Sequence, residues 1–179
     1  MKITISGLPG SGTTTVAKIL ASKLNYKLIS AGEVFRQMAR EKGYSLEEFS
    51  KYAESNPDID QYIDKLQREL AEKEENAVIE GRLSGWMIKD ADLRVWIFAD
   101  DEVRYERIAK REGKDIVEIR EKTKSREEYE RSRYRKFYGI DINDWSIYHL
   151  IINSGHFDAE SIAEIILKAV EKISKSNSK

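Results

Sequence analysis

Gly7-Leu8-Pro9-Gly10-Ser11-Gly12-Thr13-Thr14-Thr15 follows the apolar run Ile3-Thr4-Ile5 and precedes Val16, Ala17, Ile19, Leu20 and Leu24, which recur at helical spacing. Strand, glycine-rich turn and helix, in that order, are the context of a phosphate-binding loop. The glycines let the backbone curl so that its N–H groups converge on an anion. A helix starting near Thr13 adds its positive dipole end, and Thr14 stands where a hydroxyl reaches a magnesium ion. One letter departs from the pattern G-x-x-x-x-G-K-[ST]: Thr13 occupies the lysine position. That loss removes a cation from the β- and γ-phosphates. A glycine-rich turn with no ligand is the alternative, but position, glycine spacing and Thr14 all favour a phosphate cradle whose missing charge comes from elsewhere.

The chain has 179 residues, 40% of them hydrophobic, enough for one domain with a core. No apolar stretch approaches the roughly 20 residues that span a bilayer. Met1 leads straight into a strand, so no secretory signal is expected and the cytoplasm is the expected location. The absence of cysteine excludes disulfides, thiolate metal sites and a cysteine nucleophile. His149 and His156 are the only histidines, too few for a histidine-built metal centre. Charged residues make up 35% of the chain, yet the net charge is -1. Such dense, balanced charge resembles the composition of hyperthermophile proteins. It gives no support for a nucleic-acid partner.

Four further runs read as strands: Tyr26 to Ser30, Ala77 to Glu80, Leu93 to Ala99 and Leu150 to Asn153. Continuous apolar runs suit strands buried on both faces of a parallel sheet, and helical patterns lie between them, so the fold class is α/β. Helices are expected over Gly32 to Arg40, Ser45 to Tyr52 and Asp58 to Lys73, with Ser45 and Glu48 forming a capping box. A second helical, highly charged stretch runs from Asp101 to about Phe137. The sheet thus carries two helical insertions, and no repeat or linker divides the chain.

Ligands bind beyond strand C-termini in doubly wound sheets. Ser30 ends one strand, where it caps the next helix, and Arg36 lies one turn on from Gly32, on the same face. A guanidinium there can clamp a phosphate through two hydrogen bonds. Glu80-Gly81-Arg82 ends another strand; Glu80 can hold a magnesium-bound water and Arg82 is a second phosphate clamp. A tight turn with a surface ion pair is the alternative there. Arg104, Arg107 and Arg111 share one helix face, and Arg126, Arg131, Arg133 and Arg135 follow, interleaved with Tyr129, Tyr134 and three glutamates. Three readings compete: a solvated, salt-bridged helix, an RNA-binding patch, or a closing lid whose arginines neutralise a phosphoryl group in transit. The lid would also supply the charge missing at Thr13. No Ser/His/Asp constellation and no Asn-Lys-x-Asp run is present, which disfavours a hydrolase triad and a GTPase.

Taken together, GLPGSGTTT, SAGEVFR, EGRLSGW, the strand ending at Ala99-Asp100 and the run REEYERSRYRKFYGIDINDWSIYHLIIN resemble the nucleoside monophosphate kinases, above all the archaeal-type cytidylate kinases. The resemblance covers nearly the whole chain. It implies a P-loop kinase fold: a five-stranded parallel sheet in the order 2-3-1-4-5, flanked by helices, with a helical monophosphate-binding insertion and an arginine-bearing lid. It divides the single domain into a core of residues 1–30, 76–112 and 137–179, an insertion at about 31–75 and a lid at about 113–136. It implies transfer of the ATP γ-phosphoryl group to CMP, and to dCMP, with Mg2+, by a monomer with no nucleic-acid or membrane partner. Gly7, Leu8, Pro9, Gly10, Ser11, Gly12, Thr13, Thr14 and Thr15 would hold ATP, together with Arg111. Thr14 and Glu80 would serve the metal, and Ser30, Arg36, Gly81 and Arg82 the acceptor. Arg107, Arg126, Arg131 and Arg133 would act in transfer. Arg126-Glu127-Glu128-Tyr129-Glu130-Arg131-Ser132-Arg133 is similar to the bacterial lid pattern R-D-x-x-D-x-x-R with both aspartates replaced by glutamate. Base recognition then falls to the insertion, where Asp60, Asp64 and Gln67 share a face and are candidates; a solvated amphipathic face is the competing reading. Another small-molecule kinase on this scaffold, or a nucleotide-binding assembly factor, is the alternative reading.

Overall fold

In the computed structural model, which describes residues 1–176 except for the side chains of residues 46, 47, 50, 54 and 176, the apolar runs become parallel strands. β1 (Lys2–Ser6), β2 (Lys27–Ser30), β3 (Ala77–Glu80), β4 (Leu93–Phe98) and β5 (Leu150–Asn153) stand in the order β2-β3-β1-β4-β5. This is the order the resemblance implies. β1 and β3 pair with Ile5 opposite Glu80, and β2 and β3 with Ser30 opposite Glu80. That register sets the carboxylate of Glu80 beside Ser30 at the C-terminal edge of the sheet, next to the chain leaving β1.

One face of the sheet packs on α1 (Thr13–Leu24) and α8 (Ala159–Ser176). Ile3, Ile5, Val95 and Ile97 meet Val16, Leu20, Ile162 and Ile166, all buried. The helical spacing of those apolar residues in α1 is what lets one stripe of it face the sheet. α1 stops because Asn25 turns left-handed at φ 54 and the Tyr26 N–H reaches back to Ala21 O. The following strand therefore begins at Lys27 rather than at Tyr26. The opposite face carries Trp96, Leu83, Tyr134, Ile140, Ile142 and Tyr148.

Between β2 and β3 stand α2 (Ala31–Glu41), α3 (Leu46–Glu54) and α4 (Asp58–Glu72). They build a separate small core around Phe49, with Ala39, Ala53, Ile59 and Ile63. The expected capping box forms at α3: Ser45 N–H donates to Glu48 Oε2 at 2.8 Å, and Glu48 N–H to Ser45 Oγ at 3.2 Å. After β3 comes the single turn α5 (Ser84–Met87). The long charged stretch divides into α6 (Asp101–Glu112) and α7 (Ile116–Tyr138), separated at Gly113, with the Asp115 side chain capping α7 through the N–H groups of Val117 and Glu118. The two helices meet through Tyr105, Ile108 and Ile119.

Candidate active site

The loop leaving β1 is held from behind. Gly7 has no room for a side chain, because a Cβ there would collide with Ile97 O. Gly10 adopts φ 81, and a Cβ on it would lie 2.6 Å from Arg104 O. Two arginines of α6 then bind carbonyls of the loop. Arg104 Nη1 donates to Pro9 O at 2.8 Å, and Arg107 Nη1 to Gly10 O at 3.3 Å. The Ser11 N–H closes the turn onto Leu8 O at 3.1 Å, and the first-turn N–H groups of α1 are the ones a helix N-terminus leaves open to an anion.

In front of the loop, Glu80 collects hydroxyl groups. Thr13 Oγ1 donates to Glu80 Oε1 at 2.8 Å and Thr14 Oγ1 to the same oxygen at 3.2 Å. Ser30 Oγ donates to Glu80 Oε2 at 2.6 Å. Three elements, the loop, β2 and β3, are thereby joined at one carboxylate. Such charge-assisted bonds are short and stronger than neutral ones. Ser30 keeps its capping role as well, accepting from Glu33 N–H at 3.4 Å. Among the described residues there is no group of three or more His, Asp or Glu side chains that would hold a metal ion alone. One carboxylate with adjacent hydroxyls is still the hard-oxygen set that suits Mg2+, which keeps water and takes further ligands from substrate phosphates. The donor set at Glu80 and Thr14 fits that ion.

The residues expected to serve an acceptor lie near the ends of β2 and β3 and against α7. Arg36 pairs with Glu33 one turn earlier in α2, and its guanidinium lies 3.5 Å from where a Gly32 Cβ would be. Arg82 Nε stands 2.7 Å from Glu130 Oε2, and Arg126 Nε donates to Glu130 Oε1 at 2.8 Å. Burial raises the Glu130 pKa, but Arg82, Arg126 and Arg133 outweigh it and hold the carboxyl below its ordinary range. Arg133 of α7 pairs with Asp60 of α4, and Tyr138 Oη donates to Asp64 Oδ2 at 3.0 Å. Gln67, buried, donates to Glu80 O at 2.6 Å and Ile29 O at 3.3 Å, which pins α4 to the strand ends. On this shared face Gln67 is buried, while Asp60 and Asp64 are half-buried and bonded to α7 rather than free in solvent.

The arginines expected to act together separate by burial. Arg104 is 1% exposed and bonded to Glu127 and Asp101. Arg107 sits at the loop and also donates to Ser154 Oγ at 2.9 Å and Ser154 O at 2.7 Å. Arg111 points outward and pairs with Glu112. Arg131 is partly buried, and its Nε has no hydrogen-bond partner among the described residues. Spacing alone put Arg104 on the face of Arg107 and Arg111 but did not show that it would be enclosed. The roles of Glu127 and Tyr138 had no signal in the sequence beyond their residue types.

Residues 2–156 match the model of the cytidylate kinase-like family. The chain belongs to that family. It is 70% identical over 171 residues to the cytidylate kinase of Archaeoglobus fulgidus, covering 96% of this chain and 95% of that one. It is 53% identical to the cytidylate kinase of Pyrococcus horikoshii, covering 96% and 88%. Among solved structures, a shikimate kinase from Acinetobacter baumannii in complex with shikimate has a TM-score of 0.64 at 15% identity, covering 96% of this chain and 93% of that one. An uncharacterized protein from Eubacterium ventriosum has a TM-score of 0.70 at 23% identity, covering 96% and 98%. The structural likenesses establish the P-loop kinase fold. Membership of the cytidylate kinase-like family rests on the sequence matches. Among the described residues, no helix is long and apolar enough to cross a membrane.

Proposed function

We propose that this chain is a cytidylate kinase, which transfers the γ-phosphoryl group of ATP to CMP and releases ADP and CDP. The observation that carries this reading is the junction at Glu80, where the phosphate loop meets Ser30 at the start of the acceptor-side insertion. A donor bound in the loop and an acceptor bound beside Ser30, Gly81 and Arg82 then face each other across one carboxylate. The relatives named cytidylate kinase supply the identity of the acceptor.

The loop from Gly7 to Thr15 holds the donor's phosphates, with the open N–H groups at the start of α1 turned to them. Arg36 and Arg82 hold the acceptor's phosphate, each exchanging a protein carboxylate, Glu33 or Glu130, for a phosphate oxygen. Thr14 and Glu80 would hold Mg2+, which would supply positive charge against the donor's phosphates. Transfer asks mainly for alignment and positive charge around the equatorial oxygens, so no residue is required as a general base. Arg107, whose partners at the loop are neutral oxygens, brings charge to the side where Thr13 replaces lysine. Arg131 supplies a guanidinium whose Nε–H donates to a new oxygen partner when the segment at 113–136 closes. Closure also excludes water and suppresses hydrolysis of ATP.

The direct test is phosphoryl transfer from ATP, with Mg2+, to CMP, dCMP, UMP, AMP, dTMP or no acceptor, following both products. Rapid CDP formation with little acceptor-free hydrolysis is expected; nucleotide binding without transfer to any monophosphate would refute the reading. Two substitutions separate the acceptor site from the lid. Arg36→Ala is expected to raise the KM for CMP at least about tenfold with a smaller change in kcat, because it removes a charged contact present before transfer. Arg131→Ala is expected to lower kcat by about 100-fold with KM little changed, as for a group engaged in the transition state. Equal, small effects of both in steady-state kinetics would remove the assignment.

Thr13→Lys tests the charge argument. The Thr13 hydroxyl lies 2.8 Å from Glu80 Oε1, so a lysine there would pair with that carboxylate. No gain in kcat is expected. A large gain would mean that the loop lacks charge and that Arg107 and the lid do not provide it.

A further inference from the structure

We propose that Asp64, held by Tyr138, accepts a hydrogen bond from the exocyclic amino group of the acceptor's base and thereby selects cytosine over uracil. This rests on the reading of the acceptor as a pyrimidine nucleoside monophosphate bound between α4 and α7.

The placement follows from α4. Gln67 is fixed at the ends of β2 and β3, and its Oε1 lies 3.0 Å from where a Gly81 Cβ would stand, at the acceptor's phosphate end. At a rise of about 1.5 Å per residue, Asp64 stands about 4.5 Å and Asp60 about 10.5 Å farther along the same face, away from the sheet. Both carboxylates meet α7, which forms the other wall. Asp60 is committed to the Arg133 guanidinium. Asp64 has a neutral partner, the Tyr138 hydroxyl, which donates to Oδ2. Among the described residues Oδ1 has no such bond, so the side chain is fixed in direction with an acceptor to spare.

An ionised carboxylate only accepts hydrogen bonds. Cytosine presents the N4 amino donor at its Watson–Crick edge; uracil presents the O4 acceptor at the same place. Asp64 therefore attracts the first and repels the second, as carboxylates do when they read cytosine in nucleic acids. An asparagine side chain carries both a donor and an acceptor and turns either one toward the base, so it serves both pyrimidines.

The electrostatics around Asp64 add a pH signature. Burial pushes its pKa from 3.8 up to about 6; Asp60 on α4 and Glu130 on α7 add to the rise, while Tyr138 and Arg133 on α7 oppose it. Because the native pKa is the higher one, the native state gains relative stability from Asp64 at low pH and loses it as pH rises from about 4 to 6. Asp64→Asn removes that loss, so the variant is expected to melt no lower than the parent at pH 7. Above pH 6 the carboxylate discriminates; below it the protonated group offers a donor and discrimination fades.

The test compares kcat/KM for CMP and UMP in the parent chain and in Asp64→Asn between pH 5 and 8. At pH 7.5 the CMP:UMP ratio is expected to fall at least about tenfold in the variant, mainly through a gain with UMP. The parent's ratio is expected to rise with pH through 6, and the variant's to stay flat. Tyr138→Phe, which frees the carboxylate to turn, is expected to lower the ratio several-fold and decides the matter if Asp64→Asn does not fold. An unchanged ratio in the folded variants, with both substrates losing equally, would overturn the proposal. Failure of the parent chain to phosphorylate CMP would instead overturn the cytidylate kinase reading itself.

Discussion

Arg104→Ala is expected to destabilise the protein by about 3–5 kcal/mol, the range for breaking one side of a buried ion pair. Arg104 Nη1 lies 2.6 Å from Glu127 Oε1, and its Nη2 lies 2.6 Å from Asp101 Oδ1. Glu127 is buried as well, at 9% exposure, so the truncation strands a carboxylate away from water. Pro9 O loses its donor at the same time, which loosens the phosphate loop. Urea denaturation measures the first effect, and an increase in the KM for ATP larger than that for CMP measures the second. The pair Arg104→Met with Glu127→Leu separates the two. Replacing both charges with apolar groups of similar volume is expected to restore most of the stability while leaving the ATP defect. A loss below about 1 kcal/mol in the single variant would show that Glu127 regains water and that the ion pair does not anchor α7 to α6.

Glu80→Gln is expected to reduce kcat by about 10- to 100-fold and to raise the Mg2+ concentration needed for half-maximal rate, the usual scale for a group that orients a metal's ligands. The amide keeps an oxygen for the hydroxyls of Thr13 and Thr14, and Ser30 can accept from its nitrogen, so the melting temperature is expected to change little. What disappears is the negative charge. Kinetics at varied Mg2+ beside thermal unfolding distinguishes the two roles of Glu80. An unchanged kcat with a lowered melting temperature would make Glu80 a structural anchor for three hydroxyls and remove it from the metal site.

Much of the fold is legible along the chain because its signals are local. Ala77 to Glu80 reads as a strand and is one, and Ser45 with Glu48 reads as a cap and is one. In such segments the periodicity of the side chains and the chemistry of the caps act over three or four residues, within reach of a sequence window. The glycine loop is legible for the same reason: strand, turn and helix are contiguous. The break in the charged stretch at Gly113 and Asp115 also has local causes, yet it is obscured by the uniform charge on either side.

Pairing across the fold is a different matter. The arginine face Arg104, Arg107 and Arg111 has one spacing and three fates: enclosure against Glu127, contact with Gly10 O, and an exposed pair with Glu112. Asp60, Asp64 and Gln67 likewise share one face, but one meets Arg133, one Tyr138 and one the strand ends. Spacing defines which side of a helix a residue occupies; it carries no information on what other element covers that side.

The sequence alone determined the α/β class, the phosphate loop with its threonine in place of lysine, and the residues at the strand ends, because each is written in contiguous residues. The tertiary structure alone decided that Glu80 joins the loop to Ser30, that Arg104 is buried beneath Pro9, and that Asp64 faces Tyr138. Those contacts join residues 50 to 95 positions apart. Only the parallel register of the strands and the packing of α4, α6 and α7 bring them within hydrogen-bond range, where burial then sets how strongly each charge is felt.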